Sequence, residues 1–216
     1  MHKIHNDHQK GPETTGLVLH QAALYNVFGR LIGLGVDGPN SRMVVEMAGI
    51  KPGDKVLDVG CGTGDLTLTA RTRAGASGSA DGIDASPEMI GLAQKKAQRS
   101  GSDAVFELGL IEKLPYPDTT FDVVISRLMI HHLPGDLKRQ GFKEIYRVLK
   151  PGGHVFITDF KPPTNHLLAH IIRHRMMHTN VGSIPTLLTE VGFVDVRSGP
   201  TRSRFLAFAS GKKPAV

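Results

Sequence analysis

The stretch Val56-Leu57-Asp58-Val59-Gly60-Cys61-Gly62-Thr63-Gly64-Asp65-Leu66 constrains the fold more than any other part of the chain. An apolar strand runs straight into three glycines spaced by two, and a helical pattern opens directly after them. Glycine is needed where backbone takes positive φ or must approach a ligand closely. The end of such a strand and the start of such a helix frame a site in the crevice of an open sheet. A dinucleotide fingerprint beginning at Gly60 would need its last glycine where Asp65 stands, and a carboxylate is a poor neighbour for a pyrophosphate. No Gly-Lys-Ser/Thr follows, which excludes a P-loop. The expected ligand is nucleoside-like and does not depend on phosphate.

Gly82-Ile83-Asp84-Ala85-Ser86 follows at the end of a second strand. An acid placed there accepts hydrogen bonds from a ribose diol. Around these two segments strands and helices alternate. Strands are expected at Lys55–Val59, Ser79–Ile83, Val105–Leu108, Phe121–Ser126, His154–Asp159, Phe193–Arg197 and Phe205–Ala209. Helices are expected around Ser41–Ala48, at Asp65–Arg73, from Ser86 to Gly101, at Asp136–Leu149 and at His166–His178. Ser86 is a good N-cap, Pro87 suits the first helical position, and Gly101 suits a C′ residue. Repeated strand–helix–strand units imply an α/β fold, Rossmann-like, with seven mostly parallel strands and helices on both faces. The close spacing of the last two strands makes the last one antiparallel. Residues 1–44 read as a tail and a helix beginning at Leu17, and 45–216 as one domain.

Composition narrows the partners. The chain has 216 residues, one cysteine, eleven histidines, no tryptophan and a net charge of +6 with histidine neutral. One cysteine excludes a disulfide scaffold and a two-cysteine metal site. Nine Phe and three Tyr supply a single-stranded nucleic-acid platform poorly. No apolar run approaches the roughly 20 residues of a membrane span. The polar first residues lack a signal peptide's apolar core, so a cytoplasmic protein is expected.

The ordered set of short motifs resembles the class I S-adenosylmethionine-dependent methyltransferases, and within them the quinone-biosynthesis C-methyltransferase and small-molecule group. The resemblance spans roughly Val45 to Ala209. It rests on the glycine segment, on Gly82 to Met89, on Leu114-Pro-Tyr-Pro-Asp118 and on Phe121-Asp122-Val-Val-Ile-Ser126. His131-His132-Leu-Pro134, Arg147-Val-Leu-Lys-Pro151-Gly-Gly153 and Val191-Gly192-Phe193 complete it. The resemblance implies S-adenosylmethionine as cofactor. Asp58, Gly60, Cys61, Gly62 and Thr63 would hold its methionine portion. Asp84 and Ala85 would meet the ribose, and Met89 would pack on adenine. Leu110 stands where the family usually places an acid or Asn against adenine, with the Ile111 amide beside it. Ser126 would line the inner end, and Tyr25 on the lid-like helix would close over the cofactor.

Methyl transfer needs a base only when the nucleophile must lose a proton. His131 and His132, in the loop after the fourth strand, are the candidates, and packing or capping is the alternative reading of the pair. No Asn/Asp-Pro-Pro-Tyr/Phe motif follows the fourth strand, which argues against the nucleic-acid amino-methylating enzymes that use one. His166, His170, His174 and His178 form an i, i+4 ladder with three readings: a solvated helix face, a wall of the substrate site, or a metal site. Arg197, Arg202, Arg204, Lys212 and Lys213 mark either an anionic partner or a solvated edge. A small-molecule substrate is expected, such as a quinone, phenol or lipid-like metabolite, in a chain capable of homo-oligomerising. Two alternatives stand beside it: an RNA or protein methyltransferase using the basic surface, and a cofactor-binding module without catalysis, which Leu110 motivates.

Overall fold

The structure is a computed structural model and describes residues 38–161 and 181–215. Tyr25, the lid-like helix and the His166–His178 ladder lie outside the described residues.

The elements in order are α1 (Gly38–Met47), β1 (Lys55–Val59), α2 (Asp65–Ala74), β2 (Ser79–Asp84), α3 (Pro87–Ser100), β3 (Val105–Leu108) and β4 (Phe121–Arg127). A single 3-10 turn, Ile130–His132, leads into α4 (Gly135–Val148) and β5 (Leu149–Phe160). After a second such turn come α5 (Ile184–Val191), β6 (Val194–Pro200) and β7 (Leu206–Lys212). They build one seven-stranded sheet in the order β3-β2-β1-β4-β5-β7-β6. β1 pairs parallel with both β2 and β4, and β7 pairs antiparallel with β5 and β6. The chain thus builds outward from β1 in one direction and then returns to build in the other. The carboxyl ends of β1 and β4 flank the switch point, where open α/β sheets bind ligands.

Side-chain alternation along the strands sorts the core onto two faces. Leu57, Val59, Val124, Val155 and Ile157 pack with Phe142 and Ile145 of α4 and with Ile184 and Leu188 of α5. Val56, Val123, Ile125 and Phe156 pack with Val44 of α1, with Ala48 just after it, and with Leu66 and Ala70 of α2. Each such fully buried large side chain contributes about 1.5–3 kcal/mol. Ser86 Oγ accepts from the Met89 amide at 3.3 Å, and Gly101 closes α3 at φ 64°, as the sequence implies.

β5, α5 and β6 are among the elements that differ from the sequence reading. β5 starts at Leu149 rather than His154, because Leu149 already pairs with Phe121 across a bulge and the Pro151-Gly152-Gly153 segment extends the strand. α5 has no counterpart in the reading; Pro185 looks like a break but stands in the helix's first turn, where its missing N–H costs nothing. β6 starts one residue late because Phe193 is buried against the Tyr146 ring, 5.1 Å away edge-on.

Candidate active site

The glycine segment leaves β1 as its spacing requires. Gly60, Gly62 and Gly64 all have positive φ, at 74°, 53° and 82°. The Gly60 and Cys61 amides both donate to the Ile83 carbonyl at 2.9 Å, which ties the loop to the end of β2. A Cβ on Gly64 would lie 2.8 Å from the Phe106 ring, whereas the space over Gly62 is open. The Met129 side chain occupies the space above Gly60 and so joins the loop to the segment after β4.

Two carboxylates organise this side. Asp84 Oδ2 accepts from the Gly62 amide and Oδ1 from the Ser86 amide, each at 2.9 Å, so Asp84 fixes the loop from the adjacent strand. Each carboxylate oxygen keeps a further acceptor position. Burial raises the Asp84 pKa against those amide bonds. Asp58 is fully buried; its Oδ2 accepts from Thr67 Oγ1 at 2.6 Å, and its Oδ1 has no partner. Burial pushes Asp58 up to about 6, against the Thr67 hydrogen bond and the nearby Arg127 charge.

The remaining sequence candidates spread around these two. Thr63 Oγ1 accepts from Lys96 Nζ at 2.8 Å and donates to Asp65 Oδ2 at 3.1 Å, which directs it towards α3. Cys61 is buried with Ile90, Ala93 and Phe106, and burial raises its thiol well above the ordinary range, so it is an inert packing residue there. Met89 is buried at the start of α3, and Ala85 lies half-buried beside Asp84. Leu110 is half-buried, in a short bridge with Lys113. The Ile111 side chain lies in the core, on Gly141 of α4. Ser126 Oγ donates to the Val59 carbonyl at 2.8 Å and locks the ends of β1 and β4 together.

Across the switch point, His131 and His132 form part of a second cluster. His131 is 5% exposed; its amide reaches Asp159 Oδ2 at 3.0 Å and its ring Nδ1 reaches Oδ1 at 2.6 Å. Asp159, at the end of β5, is 1% exposed, and its Oδ1 also accepts from the Phe160 amide. A carboxylate accepts here, so Nδ1 is the donor and Nε2 is the ring nitrogen left for another partner. The His132 ring lies 4.0 Å from that of His131, with a buried Nδ1 that has no partner. Burial, with the His131 charge adding to it, pushes His132 down to about 4. The pair therefore divides into an oriented imidazole and a neutral one.

Sequence reasoning missed Asp159, Thr67 and Lys138. Asp159 is an acid ending a strand, as Asp84 is, and that parallel was the available signal. Lys138 precedes Phe142 by four residues on the apolar stripe of α4, where a lysine is out of place. The basic group near the C-terminus does not act as a unit. Lys213 Nζ donates to the Tyr146 and Leu149 carbonyls and caps the end of α4; Arg202 pairs with Glu46, and Arg204 covers the Phe205 ring.

Known proteins resemble this chain in sequence and in fold. The methyltransferase domain family matches residues 56–153. A ubiquinone/menaquinone biosynthesis C-methyltransferase of Geobacter sp. is 34% identical over 158 residues, covering 72% of this chain and 66% of that protein. The enzyme of the same description from Geotalea daltonii is 33% identical over 165 residues, covering 76% of this chain and 69% of that protein. The chain thus spans about two thirds of the length of these curated relatives. A SAM-dependent methyltransferase structure from Aquifex aeolicus superposes with a TM-score of 0.68 at 21% identity, over 85% of this chain and 97% of that one, and shares its fold. From the sheet order, the glycine loop and these likenesses, the chain belongs to the class I S-adenosylmethionine-dependent methyltransferases.

Proposed function

We propose that the chain transfers a methyl group to a small organic acceptor that gives up a proton, with the His131–Asp159 pair as its base. The methyl donor of the family is S-adenosylmethionine. The residues on the β1–β2 side fit it: Asp58 Oδ1 is buried without a partner, the space over Gly62 is open, and Asp84 has acceptor capacity left. Asp58 and Asp84 would take its ammonium and ribose hydroxyls, and Leu110 would meet the adenine with an apolar side chain. When bound, it supplies a methyl group already activated as a sulfonium, so the protein's part is positioning, water exclusion and proton removal.

The buried His131–Asp159 pair carries the reading. Asp159 holds the imidazole by two contacts, which fixes both ring and turn. Nε2 is then the atom that takes the acceptor's proton, while the Asp159 carboxylate stabilises the resulting imidazolium. His132, neutral and half-buried, adds no competing positive charge. Met129 joins this turn to Gly60, so donor loop and base share one wall. A phenolic or quinol ring is the favoured acceptor class, because the named relatives are ubiquinone/menaquinone biosynthesis C-methyltransferases.

Isotope-labelled methyl donor, offered with quinols, phenols, lipids and bulk tRNA, tests the proposal. Label is expected on a small ring, and His131→Asn is expected to lower turnover about 10²–10⁴-fold without changing the donor KM. Transfer to tRNA alone, or turnover indifferent to His131, overturns it.

A further inference from the structure

The chain leaves both strands at the switch point through a left-handed residue. Gly60, after β1, has φ 74°, which a glycine adopts freely. Leu128, after β4, has φ 56°, which is unfavourable for a bulky side chain. Such strain persists only where the surroundings hold it, and it gathers at functional sites. The Leu128 amide donates to the Thr158 carbonyl of β5 at 2.9 Å, and the Leu128 side chain is buried in the core under α1 and α2. The next residue, Met129, packs against the core on the other face of the sheet, under α4.

Met129 makes the contact between the two exits. A Cβ on Gly60 would overlap Met129 Cγ and lie 2.7 Å from Met129 Cβ. These atoms stand nearest to the Met129 backbone, so the contact fixes where that backbone runs and not merely where the flexible thioether rests. Only a glycine at position 60 lets the two exits come this close. The Met129 carbonyl accepts from the His132 amide at 2.9 Å and so opens the 3-10 turn that carries His131. Both sides of the contact are pinned from behind. The Gly60 amide donates to the Ile83 carbonyl, Ser126 Oγ joins β4 to the Val59 carbonyl, and Asp159 holds His131 by ring and amide. Between pinned, close-packed segments a displacement is passed on and not absorbed.

Resting on the proposed methyl transfer, we infer that Met129 is a positioning residue, which spaces the His131 turn from the glycine loop so that the imidazole takes its place from the state of that loop. It acts through His131 and not on the affinity for the donor. Loading the loop with donor then sets the base, and a side chain too short to reach Gly60 uncouples the two.

The test uses the full chain with its histidines labelled by a heavy nitrogen isotope, and S-adenosylhomocysteine as the probe. Loss of a ring signal in His131→Asn assigns His131. In the wild type, saturation with S-adenosylhomocysteine is expected to shift the His131 ring signals. Met129→Ala is expected to remove most of that shift while binding S-adenosylhomocysteine within about twofold of wild type. Met129→Leu, which restores the reach, is expected to keep the shift. Met47→Ala, which shortens a half-buried methionine in the other core, is expected to keep it as well, so plain loss of packing is separated from positioning. With the quinol or phenol that takes label, Met129→Ala is expected to lower kcat about tenfold or more, because a misplacement of about 1 Å suffices for that. The same change made in His131→Asn is expected to lower kcat less than about twofold further, since residues that act through one another are not additive. A full shift in Met129→Ala, no His131 shift in a wild type that has bound S-adenosylhomocysteine, or the same loss from Met129→Ala with and without His131 overturns the inference. A wild type that does not bind S-adenosylhomocysteine would instead overturn the methyltransferase reading, and turnover indifferent to His131→Asn the assignment of the base.

Discussion

The two sides of the crevice are built from opposite chemistries and shaped by the same force. On the β1–β2 side the buried groups are carboxylates, Asp58 and Asp84, and burial pushes both upward, Asp58 to about 6. On the β4–β5 side the shifted groups are basic, His132 and Lys138, and burial pushes both downward, His132 to about 4. Desolvation disfavours whichever form is charged. Each side is thus held in a costly ionisation balance that a ligand of the complementary charge would relieve. The difference between the sides is one of support. The β1–β2 side, proposed for the donor, is held by backbone, through glycines and amides donating to Asp84, whereas the other side is held by one side-chain pair, His131 with Asp159.

The opposite shifts give the largest separable effect. Between pH 3.8 and about 6 the folded chain keeps a proton on Asp58 that the unfolded chain has lost, so this group makes stability fall as pH rises. Between about 4 and 6.5 the unfolded chain protonates His132 and the folded chain does not, so this group makes stability rise with pH. Each effect is a few kcal/mol at most, because a tenfold change in proton affinity is worth about 1.4 kcal/mol. The two oppose each other across pH 4–6. Denaturant midpoints measured across that range test this. Asp58→Asn is expected to leave a net rise with pH, and His132→Asn a net fall. Parallel profiles for wild type and both variants would break the comparison.

A smaller effect separates backbone support from side-chain support. A Cβ on Gly82 would sit 2.9 Å from Cys61 Cβ, the Phe106 ring and Thr67 Oγ1, the last being the group that holds Asp58. Gly82→Ala is expected to cost about 1–3 kcal/mol through overpacking. Gly135, at the start of α4 on the other side, has open space around its Cα, and Gly135→Ala is expected to be neutral or slightly stabilising. Thermal unfolding of both variants checks the contrast.

The glycine loop and the start of α3 were legible in the sequence because their constraints are local. Positive φ at Gly60 and Gly64 and the Ser86 cap write themselves into consecutive residues. Asp84 needed only one strand more. The other side was half legible. His131 and His132 stand out as a pair, but the partner of His131 is 28 residues away. Asp159 reaches it only because β4 and β5 pair in the register Arg127↔Thr158. Lys138 was hidden for a different reason: a stripe read from its apolar members passes over the charged one among them. α5 was missed because Pro185 opens the helix instead of breaking it.

The division of labour across the crevice is tested most directly by calorimetric titration of S-adenosylhomocysteine into the wild type, Asp84→Ala and His131→Asn. Asp84 accepts from the Gly62 amide and is proposed to hold the donor, so its loss is expected to weaken binding by about tenfold or more. His131→Asn is expected to bind within about twofold of wild type, a difference of only a few tenths of a kcal/mol. Equal losses in both variants, or wild-type affinity in Asp84→Ala, would contradict the assignment of donor and proton to opposite sides.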